Sequence, residues 1–162
     1  MKRLIVNSLD VRYERHTVFN KASMVVEAGS ISGLLGPNGS GKTTFFDVIC
    51  RLKKMEAGEI VNSFSTFLYL SQVITTPPVL RMFDVFKMMM IFCADVPVTQ
   101  KHALEKIEMW SPGVAERYCD IWNKKSSLCS YGEKRWFFTL SLLAVGADLV
   151  ILDEPTAVSY TH

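Results

Sequence analysis

Gly36-Pro37-Asn38-Gly39-Ser40-Gly41-Lys42-Thr43-Thr44 fits the pattern G-x-x-x-x-G-K-[ST] without a mismatch. The chemistry this spacing serves is the holding of phosphate. Glycines at 36, 39 and 41 let the backbone fold tightly and approach an anion. Successive N–H groups then turn inward as a cradle of positive partial charge. A helix starting near Gly41 adds its unsatisfied N–H groups and the positive end of its dipole. Lys42 brings a full charge to the outer phosphates, and the Thr43 hydroxyl suits Mg²⁺. Downstream, Leu149-Val150-Ile151-Leu152 ends in Asp153-Glu154. Asp153 can hold Mg²⁺ through its water shell. Glu154 is the nearest group to orient or deprotonate an attacking water. The plain alternatives are a Gly-rich connector and an acidic turn after a strand. Their occurrence together in one chain favours a nucleotide site over both.

These residues need elements to position them. Ile31–Leu35 before the loop is expected to be a short buried strand, and Phe45–Leu52 after it the body of a helix. Leu4–Tyr13 and Ala22–Glu27 read as strands of a small antiparallel sheet, with a turn at Ala28-Gly29-Ser30. Tyr13 is either a strand aromatic packed on a neighbour or a ring that stacks on a nucleotide base. Ala57–Ile60 turns into a further strand, and Thr66–Leu70 forms another that ends at Ser71-Gln72. Thr75-Thr76-Pro77-Pro78 breaks the chain. Val79–Phe92 carries two apolar rows, Val79/Phe83/Phe86/Met90 and Met82/Val85/Met89/Phe92. It is expected to be a helix buried on most sides, either as core or as a groove for a partner's helix. Thr99–Trp110, with Thr99 as cap, and Val114–Trp122 follow as helices. Ser130 and Glu133 are spaced as a capping box for a helix over Lys134–Val145 that stops at Gly146. Leu149–Leu152 is then expected as a buried parallel strand, with its carboxylates at the ligand-binding end.

Composition narrows the function classes. The chain's 162 residues suffice for one domain with a core. A net charge of +2 gives no electrostatic case for nucleic acid. Cys50, Cys93, Cys119 and Cys129 lie far apart, without a C-x-x-C pair, and read as reduced thiols. The apolar run after Met1-Lys2-Arg3 is too short for a signal peptide. Asp84, Lys87 and Asp95 interrupt Met82–Val96, so no window spans a bilayer. There is no internal repeat and no low-complexity segment.

On these motifs the chain resembles the nucleotide-binding subunit of an ATP-binding-cassette (ABC) transporter. Gly36–Thr44 and Leu149–Glu154 resemble that family's two phosphate-site motifs, and Asp153-Glu154-Pro155-Thr156 is a usual spelling of the second. Gln72 stands at the Q-loop position. Cys129-Ser130-Tyr131-Gly132-Glu133-Lys134-Arg135 resembles the signature, usually spelled LSGGQ and followed by basic residues. Tyr13 stands where the family stacks an aromatic ring on adenine. The likeness runs from Tyr13 to Thr156.

The resemblance implies an α/β fold: a P-loop NTPase core, mainly parallel sheet with flanking helices, a small N-terminal antiparallel β subdomain and an inserted α-helical subdomain. The divisions are 1–75, 76–128 and 129–162. ATP and Mg²⁺ are the implied cofactors. Tyr13 and Gly36–Thr44 would bind the nucleotide. Thr43, Gln72 and Asp153 would serve the metal, and Glu154, Lys42 and Gln72 catalysis. Ser130, Gly132 and Glu133 would contact the ATP held by a second nucleotide-binding subunit. A transmembrane permease subunit would be the other partner, with the chain peripheral on the cytoplasmic side of the membrane. Soluble ABC ATPases and non-hydrolysing binding modules are the rival readings.

Departures from the family pattern are visible. Cys129, Tyr131 and Glu133 replace the usual Leu, Gly and Gln of the signature. Tyr160 stands where an aspartate is usual. His162 lies too close to Glu154 to be the family's switch histidine, and His16 and His102 read as surface or loop residues. The segment from Lys42 to Gln72 is short. A C-terminally truncated domain is the expectation.

Overall fold

The computed structural model describes residues 1–13, 16–93 and 99–155. Thr156, Tyr160 and His162 lie outside the described residues, as do the side chains of Phe92 and Cys93. The chain forms two compact units, Met1–Tyr69 and a second that begins at Leu70.

In the first unit, β1 (Arg3–Tyr13), β2 (His16–Glu27) and β3 (Ala57–Asn62) form an antiparallel sheet in the order β2–β1–β3. β1 buries Leu4 and Val6, then Leu9 and Val11. The buried set therefore changes from even to odd positions. A period-two strand can do this only by inserting a residue. The register shifts between Val6 and Leu9, and Ser8 takes a φ of 47° there. Opposite this irregularity, a Cβ on Gly58 would lie 2.7 Å from the Ser8 carbonyl oxygen, so only glycine fits. Helix α1 (Lys42–Ile49) buries Phe45, Val48 and Ile49. The Phe45 ring packs on Phe19 of β2 at 5.4 Å between centroids. Tyr69, in β4 (Phe67–Leu70), donates its hydroxyl to Asp47 Oδ1 of α1 at 3.2 Å.

Ile31–Leu35 departs from expectation. It forms no strand, and Ile31 and Leu35 are 103% and 93% exposed. An apolar run becomes a central strand only when neighbours complete its ladder and cover its faces. No described strand pairs with these residues.

The second unit contains α2 (Met82–Cys93), α3 (Gln100–Trp110), α4 (Pro112–Trp122), a 3₁₀ turn (Ser126–Leu128), α5 (Tyr131–Val145) and β5 (Leu149–Leu152). Thr99 caps α3, its hydroxyl accepting from the His102 N–H at 3.2 Å. Pro112 occupies the first turn of α4, where a missing N–H costs nothing. Gly146 ends α5 at a φ of 75°. An aromatic core joins these helices. Tyr118 stacks on Phe137 at 4.7 Å, and Trp122 meets Phe86 at 4.7 Å. The Tyr118 hydroxyl is satisfied by Ser141 Oγ at 2.6 Å.

α2 is less enclosed than its composition suggests. Met82, Val85, Phe86 and Met90 face the core, whereas Met88 and Ile91 are exposed. Within β5, Ile151 is buried and its three neighbours are half-buried. His16 and His102 are exposed, as expected. Cys50, Cys119 and Cys129 are free thiols.

Candidate functional site

The phosphate loop is built as its residue types require. Gly39 and Gly41 take φ values of 80° and 95°, the left-handed region that favours glycine. At Gly41 sterics add a second reason, because a Cβ there would lie 2.4 Å from Val18 Cγ1. Gly41 is also the N-cap of α1, and the first turn of that helix carries no acidic residue. Gly36, Pro37, Asn38, Gly39 and Ser40 are exposed, while Lys42, Thr43 and Thr44 are half-buried. The Lys42 ammonium folds back over the loop, donating to the Gly36 carbonyl at 2.8 Å and the Pro37 carbonyl at 3.0 Å. The result is an exposed glycine-rich loop with one cation at a helix start, a setting that fits the phosphates of a nucleotide.

Tyr13, in the same unit, is 60% exposed. The Lys53 ammonium lies 3.6 Å from its ring centroid and is buried with no hydrogen-bond partner among the described residues. This cation–π contact anchors the ring while leaving it accessible. Sequence reasoning missed Lys53, which looks like one of several basic residues after α1.

In the second unit, Gln72 and Glu154, 82 residues apart, come together. Gln72 Nε2 donates to Glu154 Oε2 at 3.1 Å. Asp153 is 1% exposed, and its N–H donates to the Leu70 carbonyl at 3.0 Å. Glu154 has a φ of 53° and precedes Pro155. Both features are unfavourable for glutamate, and a left-handed non-glycine residue costs on the order of 1–3 kcal/mol. Something must hold it there.

Arg135 does so. Its Nε donates to the Glu154 carbonyl at 2.9 Å, and its Nη1 to the carbonyls of Ser71 and, at 3.3 Å, Gln72. Arg135 is 1% exposed, and its Nη2 is buried without a hydrogen-bond partner among the described residues. Leaving a buried donor unsatisfied costs roughly 1–3 kcal/mol, and more when it is charged. The Tyr131 hydroxyl donates to the same Gln72 carbonyl. In the sequence, Arg135 is one of two adjacent basic residues after the signature, and Tyr131 is only a departure from glycine. Their acceptors lie too far along the chain to be inferred.

The signature residues form the expected capping box. Ser130 Oγ accepts from the Glu133 N–H at 3.1 Å, and the Ser130 N–H donates to Glu133 Oε2 at 2.8 Å. Lys124 completes it with a 2.9 Å contact to Glu133 Oε1. The Lys124 ammonium, followed by the Ser130 N–H, holds the Glu133 carboxyl below the usual glutamate range, and Glu133 raises Lys124 in turn. Lys124 thus offsets the charge that Glu133 brings to this helix start. Gly132 is exposed, and beyond its own helix backbone and chain neighbours the nearest atom to where a Cβ would stand is Ser130 Oγ at 4.0 Å.

Thr43 in the first unit, and Gln72 and Asp153 in the second, each carry an oxygen of the type a hard cation such as Mg²⁺ takes. Among the described residues no cluster of three or more His, Cys, Asp or Glu forms a metal cage. A small set of protein oxygens suits an ion held mainly by phosphates and water.

A glycine cradle at a helix start, with a carboxylate pair after an apolar strand, defines a nucleotide-binding ATPase domain. The pattern that defines the ABC transporter family matches residues 19–157, and the chain belongs to that family. It is similar to Protein McbF of Escherichia coli, 35% identical over 160 residues that cover 94% of this chain and 64% of that protein. The tungstate uptake system ATP-binding protein TupC of Peptoclostridium acidaminophilum is 28% identical, with 96% of this chain and 73% of that protein covered. The chain therefore spans just under two thirds of the McbF length.

Among solved structures, an ABC transporter ATP-binding protein from Pyrococcus furiosus superposes with a TM-score of 0.76 at 26% identity, covering 96% of this chain and 77% of the other. An ATP-binding subunit of an ABC transporter at 18% identity, with a TM-score of 0.76 over 95% of this chain and 67% of that one, shares the fold. The fold is thus the α/β P-loop fold of ABC ATPase domains.

Proposed function

We propose that this chain is the ATP-binding and ATP-hydrolysing part of an ABC transporter. It would work as one of two such domains, peripheral on the cytoplasmic side of a membrane and docked on a separate permease subunit. Among the described residues no helix is long and apolar enough to cross a membrane. The observation that carries the reading is the loop of Gly36–Thr44, with Lys42 folded over it.

ATP supplies the free energy and the phosphoryl group. The loop N–H groups bind its phosphates, and Lys42 exchanges the Gly36 and Pro37 carbonyls for phosphate oxygens. Tyr13 receives the base on its ring. Thr43, Gln72 and Asp153 are the residues that would hold Mg²⁺, which would supply charge stabilisation for the phosphates. Glu154 takes the proton of the attacking water, and Gln72, already on that carboxylate, keeps it oriented. Ser130 and Gly132 serve the nucleotide of the second subunit. Their position at the N-terminus of α5 supports this role.

The test is calorimetric titration of the chain with ATP and Mg²⁺, followed by a phosphate-release assay with and without a partner subunit. Binding with release is expected. Absence of ATP binding overturns the reading. The Gln72–Glu154 contact favours a second reading, an ATP-binding module whose carboxylate stays occupied. Binding without release under every condition identifies that module.

A further inference from the structure

We propose that Arg135 is the positioning residue for Gln72 and Glu154, with Tyr131 as an auxiliary donor, so that the start of α5 sets the geometry of both. This rests on the ATPase reading above. The acceptors decide it. Arg135 and Tyr131 bind the main-chain carbonyls of Ser71, Gln72 and Glu154. What they fix is therefore the path of the backbone from which the two functional side chains project. Glu154 needs such a hold, because its left-handed φ before a proline is unfavourable by itself.

Gln72 is held at both ends: its carbonyl by Arg135 and Tyr131, its amide by Glu154 Oε2. Ser130, Tyr131 and Arg135 belong to the first turns of one helix and its cap. A displacement of that helix start, such as a partner's phosphate on Ser130 would produce, therefore moves both the Gln72 loop and the Glu154 backbone. The tyrosine in place of the signature glycine adds a link that a glycine cannot supply.

The experiment compares Arg135→Met, Arg135→Lys and Tyr131→Phe in the full chain. Hydrogen–deuterium exchange is read in peptides covering 71–73 and 153–154, with a peptide of α3 as control. Arg135→Met should speed exchange in both test peptides by about tenfold or more, the scale of a lost charged hydrogen bond. The control should not change, and Arg135→Lys should restore part of the protection. Tyr131→Phe, which buries nothing new, should act on 71–73 alone. In ATP turnover Arg135→Lys should lower kcat by about tenfold and move KM by no more than about twofold, as loss of positioning without loss of binding.

For the Arg135 variants, faster exchange in only one of the two peptides, or a raised KM with kcat unchanged, overturns the proposal. If Arg135→Met does not fold, Arg135→Lys decides by the same readouts, and Tyr131→Phe decides by exchange in 71–73, where unchanged protection overturns its part. A wild-type chain that binds no ATP sinks the functional reading, while the exchange data still decide the clamp.

Discussion

Replacing Lys42 with methionine keeps the apolar stem and removes the ammonium. In the free protein this ammonium donates to the carbonyls of Gly36 and Pro37, both exposed residues. Water can take over those carbonyls, so folding stability should change by no more than about 0.5 kcal/mol. In the proposed function, the wild-type lysine exchanges these two contacts for phosphate oxygens on binding ATP. The charge-assisted contact is worth about 1.5–3 kcal/mol, and the neutral acceptors it leaves offset part of that. The net loss in Lys42→Met is then roughly 1–2.5 kcal/mol, or about 5–70-fold in Kd. Calorimetric titration gives Kd, and a thermal melt without nucleotide gives the stability control. An affinity within about twofold of wild type refutes the assignment of Lys42 to phosphate. A weaker Kd accompanied by a collapsed melting temperature refutes the claim that the lysine is structurally dispensable.

Three other outcomes follow from the same geometry. Glu154→Gln should bind ATP as the wild type does and lose turnover in the assembled transporter; normal phosphate release would show that another group takes the proton. Tyr13→Ala should weaken ATP by about 1–3 kcal/mol, the scale of base stacking, and leave tripolyphosphate binding unchanged, since that ligand has no base; equal losses for both ligands would place Tyr13 in loop structure instead. The depressed Glu133 carboxyl, held first by Lys124, stabilises the fold above the ordinary glutamate range, and this contribution is lost as pH falls through the lowered folded value. Thermal melts from pH 3 to pH 7 should therefore show a smaller acid-side loss in Glu133→Gln than in wild type; identical profiles would mean that the pair is not linked to folding.

What could be read in advance depended on how far the determining contacts reach along the chain. The phosphate loop and the Ser130–Glu133 box are closed by neighbours a few residues apart, so residue type and spacing reveal them. The Gly146 stop and the Thr99 cap are local in the same way. Arg135 could not be assigned, because it holds carbonyls 19, 63 and 64 positions away. The family likeness gave Gln72 and Glu154 separate roles at the nucleotide and did not pair them, since nothing local to either residue points to the other. At Ile31–Leu35 the composition suggested a strand, but strand formation is a property of the ladder. In β1, an apolar Leu4-Ile5-Val6 run followed by alternation was legible, and the phase change at Ser8 was not.

The exposed Ile31–Leu35 segment has a consequence for colloidal behaviour. Ile31 and Leu35 stand almost wholly in water on a stretch whose backbone groups are unpaired in any described sheet. Such a segment is both an apolar adhesive and a template for a further strand. The chain will therefore self-associate increasingly as its concentration rises, and more strongly in sulfate or phosphate buffers, which strengthen apolar association, than in chloride. Light scattering across a salt series would measure this directly, and a charged residue at position 31 would raise the concentration at which association begins.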